Sequence, residues 1–341
     1  MVDFALSEEH RAVRDLAAEV VAGEGGWSAL AQSGLLGVAL PERDGGAGLG
    51  FLAAHLVLEQ IGTHARDLPY WPTIVLGALP LAEFGSDEQR DVLSDVIDGE
   101  GELAAIVNEP IRARRESGAW LLDGAATAVP GAARAHTLLV VASTDDGERG
   151  VWLVDPRAAD VRAQKVIVGD GWAEVQLADT PAATLGDAPD PDAATRLELL
   201  AAAGAASLQA GLCEGALQLA AKHTGTREQF GRPIATFQAV AQRLADAYID
   251  LDALQLTALQ AAWRLDVGLP ATTEVAIASW WAAEAGHRVL HAALHVHGGL
   301  GVDRDYPLHR YFLLSKQLEF TLGGATAHLR AIGAALAAQP A

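Results

Sequence analysis

The chain has one cysteine in 341 residues, Cys213, which excludes a disulfide framework and a cysteine-rich metal site. Cations are scarce, 24 Lys and Arg against 44 Asp and Glu, for a net charge of −20. That balance argues against a nucleic-acid backbone or an anionic membrane as partner, because both need clustered cations. No uninterrupted apolar run reaches the roughly 18 residues needed to span a bilayer. The opening "MVDFALSEEHRAVRDLAAEV" is amphipathic and acidic, without the basic and apolar regions of a secretory signal. The expectation is a soluble, cytoplasmic protein. Half the residues are hydrophobic, so the chain is not disordered and can bury a large core in two or three substructures. In so acidic a chain an anionic ligand needs a local cationic spot.

Periodicity divides the chain into three parts. Residues 1–105 read as a helical domain. Ser7 before Glu8 and Glu9 is an N-cap with acids in the first turn, and Ser86 with Gln89 is a capping box. "PERDGGAGLGF" (Pro41 to Phe51) is a glycine-rich loop without the order of a dinucleotide fingerprint, and a helix follows from about Leu52. Residues 106–190 read as a compact antiparallel β domain, sheet or barrel, from the runs "AWLLDG", "HTLLVVAST", "GVWLVDP", "AQKVIVG" and "AEVQLADT". Residues 191–341 read as a bundle of four helices, near 194–224, 235–267, 273–297 and 312–337. The fold class is α+β, mainly α.

Three stretches carry chemistry. "TREQFGRPIATFQ" gathers Arg227, Gln229, Phe230, Arg232 and Gln238 around a Gly-Pro break between helices. Arg suits bidentate contact with phosphate, Phe230 suits a flat ring, and the amides suit ribose or phosphate oxygens. A helix corner with Arg capping carbonyls and Phe230 in the core fits the same residues. "HRVLHAALHVHGGLG" places His287, His291 and His295 on one helix face, a spacing open to zinc or to ordinary packing. Gly298 and Gly299 then end the helix and permit close approach of a ligand. "YPLHRYFLLSKQLEFTLGGATAHLR" breaks a helical pattern at Gly323-Gly324, with no carboxylate nearer than Glu319.

With "NEP" (Asn108 to Pro110), these stretches, in this order and spacing, resemble the acyl-CoA dehydrogenase family over nearly the whole chain. The resemblance implies an N-terminal helical domain, a middle β domain and a C-terminal four-helix bundle. It also implies that Arg227, Phe230, Gln238, Gly298 and Gly299 bind the FAD of a neighbouring subunit, and Gln229, by its place in the same stretch, joins them as a candidate. His295 stands where the family has glutamine, and a histidine still donates one hydrogen bond.

The departures fall on the other half of the family's site. Asn108 replaces the threonine of Thr-Glu-Pro, and Ala128-Val129-Pro130 stands where a Trp-Ile-Thr strand lies against the flavin. The catalytic glutamate is missing at both of its positions, Leu322/Gly323 and Ala201, with Glu198 one turn away as a displaced candidate. No catalytic residue is assigned and no metal is expected. The asymmetry implies a non-catalytic subunit completing the FAD site of a paralogous catalytic subunit. The whole resembles the actinobacterial α2β2 acyl-CoA dehydrogenases of steroid side-chain degradation. An acyl-CoA, for choice a steroid side-chain thioester, is the implied substrate and electron-transfer flavoprotein the implied acceptor. The alternatives are a self-sufficient homo-oligomer using Glu198 and a flavin-free scaffold.

Overall fold

The computed structural model describes residues 5–321 and 323–337. Its contacts divide into two compact units. One comprises Leu6–Ala54 and Asp67–Ala201, the other His55–Arg66 with the chain from Ala202 onward.

In the first unit, α1 (Glu8–Ala22) starts where Ser7 Oγ accepts the His10 N–H, and its buried residues Val13, Ala17 and Val21 recur every four positions. α2 (Gly26–Gln32) follows, and α3 (Gly50–Thr63) begins here and continues into the second unit. Trp71–Ala78 is buried throughout and winds as a π-helix into α4 (Leu79–Phe84). α5 (Asp87–Arg90) carries the expected capping box. Gln89 also reaches beyond it, donating to the Thr184 carbonyl at 2.8 Å and accepting the Gly186 N–H at 2.9 Å. A local helix signal thus pins the end of a distant strand. α6 (Leu93–Ile97) closes the helical part.

The β module contains β1 (Leu103–Ile106), β2 (Arg112–Glu116), β3 (Ala119–Val129), β4 (Thr137–Thr144), β5 (Arg149–Val154), β6 (Asp160–Ala163) and β7 (Ala173–Thr184). The order is β1-β4-β2-β3-β7-β5, β6 pairs with β7, and a β4–β5 pairing closes the ring into a barrel. Most pairings are antiparallel; β1–β4 and β2–β4 are parallel. Leu122, Val140, Trp152 and Val175 fill the interior. One expected strand is not formed. "AQKVIVG" is mostly loop beyond Ala163, because Ile167 is exposed and Gly169 and Gly171 both take positive φ.

In the second unit, α7 (Pro191–Thr226), which starts in the first, packs with α8 (Gln238–Asp266), α9 (Thr272–His297), α10 (Leu308–Thr321) and α11 (Gly324–Ala337). Leu217, Leu251, Leu254, Val289 and Leu290 form its core. α3 and α7 touch backbone to backbone: a Cβ on Gly211 would lie 1.9 Å from the Glu59 carbonyl oxygen. Cys213 is buried here, and burial pushes its thiol up to about 12, which leaves it unreactive. The helical stretch expected near 312–337 divides into α10 and α11 at the expected Gly323-Gly324 break, where φ values of 91° and 70° are left-handed. Among the described residues no helix is long and apolar enough to cross a membrane.

Candidate functional site

α7 ends at Thr226, and the Arg227 N–H still donates to the His223 carbonyl at 2.8 Å. The chain then makes a minimal hairpin. β8 (Glu228–Gln229) pairs with β9 (Arg232–Pro233), leaving Phe230 and Gly231 as the turn. Their φ values are 55° and 76°, the pattern of a type I′ turn. Glycine suits that position; a bulky aromatic in the left-handed region is an outlier. Phe230 is 92% exposed, and its ring lies edge to face with that of Phe237, 6.1 Å away between centroids. The helix-corner reading, with Phe230 in the core, is therefore corrected: the chain leaves α7 in a two-residue hairpin turn whose first residue, Phe230, is exposed.

The cations of the corner lie beside it. The Arg232 guanidinium sits 4.2 Å over the Phe237 ring. Arg227 is exposed and, among the described residues, forms no ion pair. Gln229 and Gln238 are exposed too, the first donating to its neighbour's carbonyl at 2.8 Å. Asn is at home in a left-handed turn, so Phe230→Asn should relieve about 1 kcal/mol of backbone strain. A raised melting temperature of the lone chain is the expected result; a lowered one would mean that the chain itself uses the ring.

The end of α9 reaches the same corner. The His223 and His297 rings stack at 4.4 Å, bringing the ends of α7 and α9 together. His297 is only 6% exposed. Its Nδ1 lies 2.7 Å from the Ala293 carbonyl and its Nε2 3.0 Å from the Tyr306 hydroxyl. The spacing of His287, His291 and His295 gave no hint of His297, which stands off that stripe. Burial lowers the His297 pKa, and burial followed by the neighbouring His297 and Arg227 lowers that of His223. Gly298 and Gly299 come next, both exposed, and a Cβ on either would meet no atom within 4 Å. Packing within the chain therefore does not demand glycine at 299; the space beside it is open to a ligand or another backbone.

His295 is exposed on the last turn of α9. The His287 and His291 rings lie 4.4 Å apart, and His287 Nδ1 is 2.8 Å from the Lys316 ammonium. Among the described residues no three His, Cys, Asp or Glu side chains gather as a metal site.

The positions where a base is expected look different. Ala201 is buried, and its carbonyl accepts the Trp71 indole N–H at 3.2 Å. Glu198 accepts from Arg149 at 2.5 Å, and both line an open cleft with Asn108, Ser143 and Arg112. Gly323 is exposed in its turn; Leu322 lies outside the described residues. Glu319 is held by Lys316 at 2.5 Å. Asn108 is exposed at φ 60°. The Ala128 N–H is occupied by Gln164 Oε1 at 2.6 Å, and Pro130 has none to give.

Residues 196–337 match the family described as acyl-CoA dehydrogenase, C-terminal domain, and residues 4–100 match its N-terminal domain. Acyl-CoA dehydrogenase FadE27 of Mycobacterium tuberculosis is 41% identical over 92% of this chain and 88% of its own length. The solved ChsE4-ChsE5 complex from Mycobacterium tuberculosis superposes with a TM-score of 0.91 at 38% identity, covering 100% of both chains. The solved Tcur3481-Tcur3483 steroid ACAD G363A variant gives 0.90 at 38%, covering 97% of this chain and 98% of that one. A glutaryl-CoA dehydrogenase from Mycobacterium smegmatis, solved with FADH2, shares the fold at 19% identity and a TM-score of 0.87, covering 98% of this chain and 96% of that one. The chain belongs to the acyl-CoA dehydrogenase family.

Proposed function

We propose that this chain is the non-catalytic subunit of an α2β2 acyl-CoA dehydrogenase and completes an FAD site whose flavin end lies in a paralogous catalytic partner. The observation that carries the reading is the outward hairpin: a strained, exposed aromatic beside an arginine free of ion pairs among the described residues, in a chain of net charge −20. These residues fit FAD. Arg227 offers its fork to the pyrophosphate, Phe230 its face to a planar ring, Gln229 and Gln238 their amides, and His295 a ring N–H. The open space beside Gly298 and Gly299 admits the dinucleotide close to the backbone.

The same residues leave the chemistry to the partner. FAD, when bound, supplies the acceptor for the substrate's hydride. Proton removal needs a base within hydrogen-bonding reach of the carbon acid, and the family's is a carboxylate. Ala201 and Gly323 have none, and the guanidinium of Arg149 holds the Glu198 carboxylate at 2.5 Å. Two similar structures, ChsE4-ChsE5 and Tcur3481-Tcur3483, pair two different proteins, which supports a heteromer. The second is a steroid ACAD, which supports a steroid side-chain CoA thioester as substrate. Electron-transfer flavoprotein in the cytoplasm is the acceptor in this reading.

Flavin stoichiometry tests it. The chain purified alone is expected to be colourless, and the complex purified with its partner yellow, with about one FAD per heterodimer. Glu198→Gln in that complex should leave turnover unchanged. Stoichiometric flavin on the lone chain, or turnover abolished by Glu198→Gln, would sink the proposal.

A further inference from the structure

His297 joins the segments of the corner. From α9 it stacks on His223, whose carbonyl holds the Arg227 N–H at the base of the hairpin. It directly precedes Gly298 and Gly299. Across the turn that leads into α10 it meets Tyr306, whose own N–H donates to Asp303.

The hydrogen bonds fix its protons. Nδ1 faces the Ala293 carbonyl, which only accepts, so Nδ1 carries a hydrogen. Nε2 of the neutral ring is then an acceptor, and the Tyr306 hydroxyl donates to it. The ring has one orientation, since rotating it by half a turn would put carbon atoms against both partners. Burial favours the uncharged form of the ring and outweighs the Ala293 hydrogen bond, which favours the charged one.

We infer that His297, locked between Ala293 and Tyr306 and stacked on His223, is the positioning residue that holds the Arg227–Phe230 hairpin and the Gly298–Gly299 turn in one fixed relation. The inference rests on the reading of this corner as the FAD clamp. His297 touches no cofactor; it acts through the two segments that do. A dinucleotide contacted by both segments requires them at a set distance, and neither a short exposed hairpin nor a glycine pair supplies that rigidity alone.

The test uses Tyr306→Phe, which removes only the hydroxyl, together with His297→Phe, which keeps a ring for the stack, and His297→Gln, which keeps an acceptor and a donor near the imidazole's. Amide hydrogen exchange on the lone chain should quicken in residues 226–237 and 298–303 together in Tyr306→Phe and His297→Phe. In the co-purified complex, titrated with FAD, both should raise the Kd about tenfold, and His297→Gln should recover most of the loss. Melting temperature should not follow the Kd, as it would for a merely structural residue. Wild-type exchange and FAD affinity in Tyr306→Phe and His297→Phe would overturn the inference while leaving the FAD reading intact if Arg227→Ala still releases flavin. If Arg227→Ala retains flavin, both fall. Should His297→Phe not fold, Tyr306→Phe decides.

Discussion

Arg227→Ala in the co-purified complex is expected to release FAD, leaving a colourless heteromer of unchanged size. Arg227 follows directly on α7, anchored through its backbone to His223, with its guanidinium exposed and free of ion pairs among the described residues. An arginine that forms no ion pair among the described residues of so acidic a chain is open to an anion from outside. In the proposed complex, a bidentate contact with a pyrophosphate desolvated between two subunits would carry about 2–5 kcal/mol on truncation. That corresponds to a rise in Kd of roughly 30-fold to 5,000-fold, since each 1.4 kcal/mol is tenfold. Arg227→Lys should recover only part of the loss, because a lysine presents a point charge without the fork. Absorbance near the flavin bands after gel filtration reads the outcome directly. A complex that stays yellow and active in Arg227→Ala would remove the cofactor role from this corner.

What the sequence disclosed follows how local each signal is. The starts of α1 and α5 were legible because a cap and its acids lie within a few residues of each other. β3, β4, β5 and β7 were legible as apolar runs bounded by Gly and Asp. β1 and β2 were not, because β1 is buried on every residue and β2 is a run of arginines and glutamate with one buried alanine. "AQKVIVG" misled for the opposite reason: Val166, Ile167 and Val168 look like a strand, but the strand ends at Ala163 and the chain beyond it is loop. The hairpin of the candidate site was invisible, since strands of two residues fall below any periodicity. Its residues stood out by their chemistry and took a candidate role through resemblance, yet the outward ring of Phe230 runs against the rule that large apolar residues go inside. His297 was missed because a residue before a glycine pair reads as the end of a helix, and only the fold sets it against His223 and Tyr306.

Acid should destabilise this chain through His55 on α3, and His55→Asn should remove that part of the pH dependence. His55 is 1% exposed. The Ser207 hydroxyl donates to the Ala203 carbonyl at 2.8 Å, so the His55 Nδ1, also 2.8 Å from that oxygen, is the donor to it. Nε2 lies 3.5 Å from the Glu59 carboxylate, which favours the charged ring. Burial outweighs that attraction and lowers the pKa from 6.5 to about 4. The unfolded chain therefore takes up a proton in a range where the folded chain does not. Stability is fully present above pH 6.5, falls as pH drops from there towards 4, and does not recover below. The full loss is about 3 kcal/mol, and about 2 kcal/mol of it is gone by pH 5. Asparagine keeps a donor for Ser207 and does not titrate. His55→Asn leaves a small cavity and should be the less stable protein at pH 7.5, but its deficit against wild type should shrink by about 2 kcal/mol at pH 5 in denaturant unfolding. A deficit that stays constant between the two pH values would show that His55 titrates alike in the folded and unfolded chains, and one that grows at pH 5 that Glu59 holds the ring charged. The position of that proton decides whether the contact between α3 and α7 resists acid or yields to it.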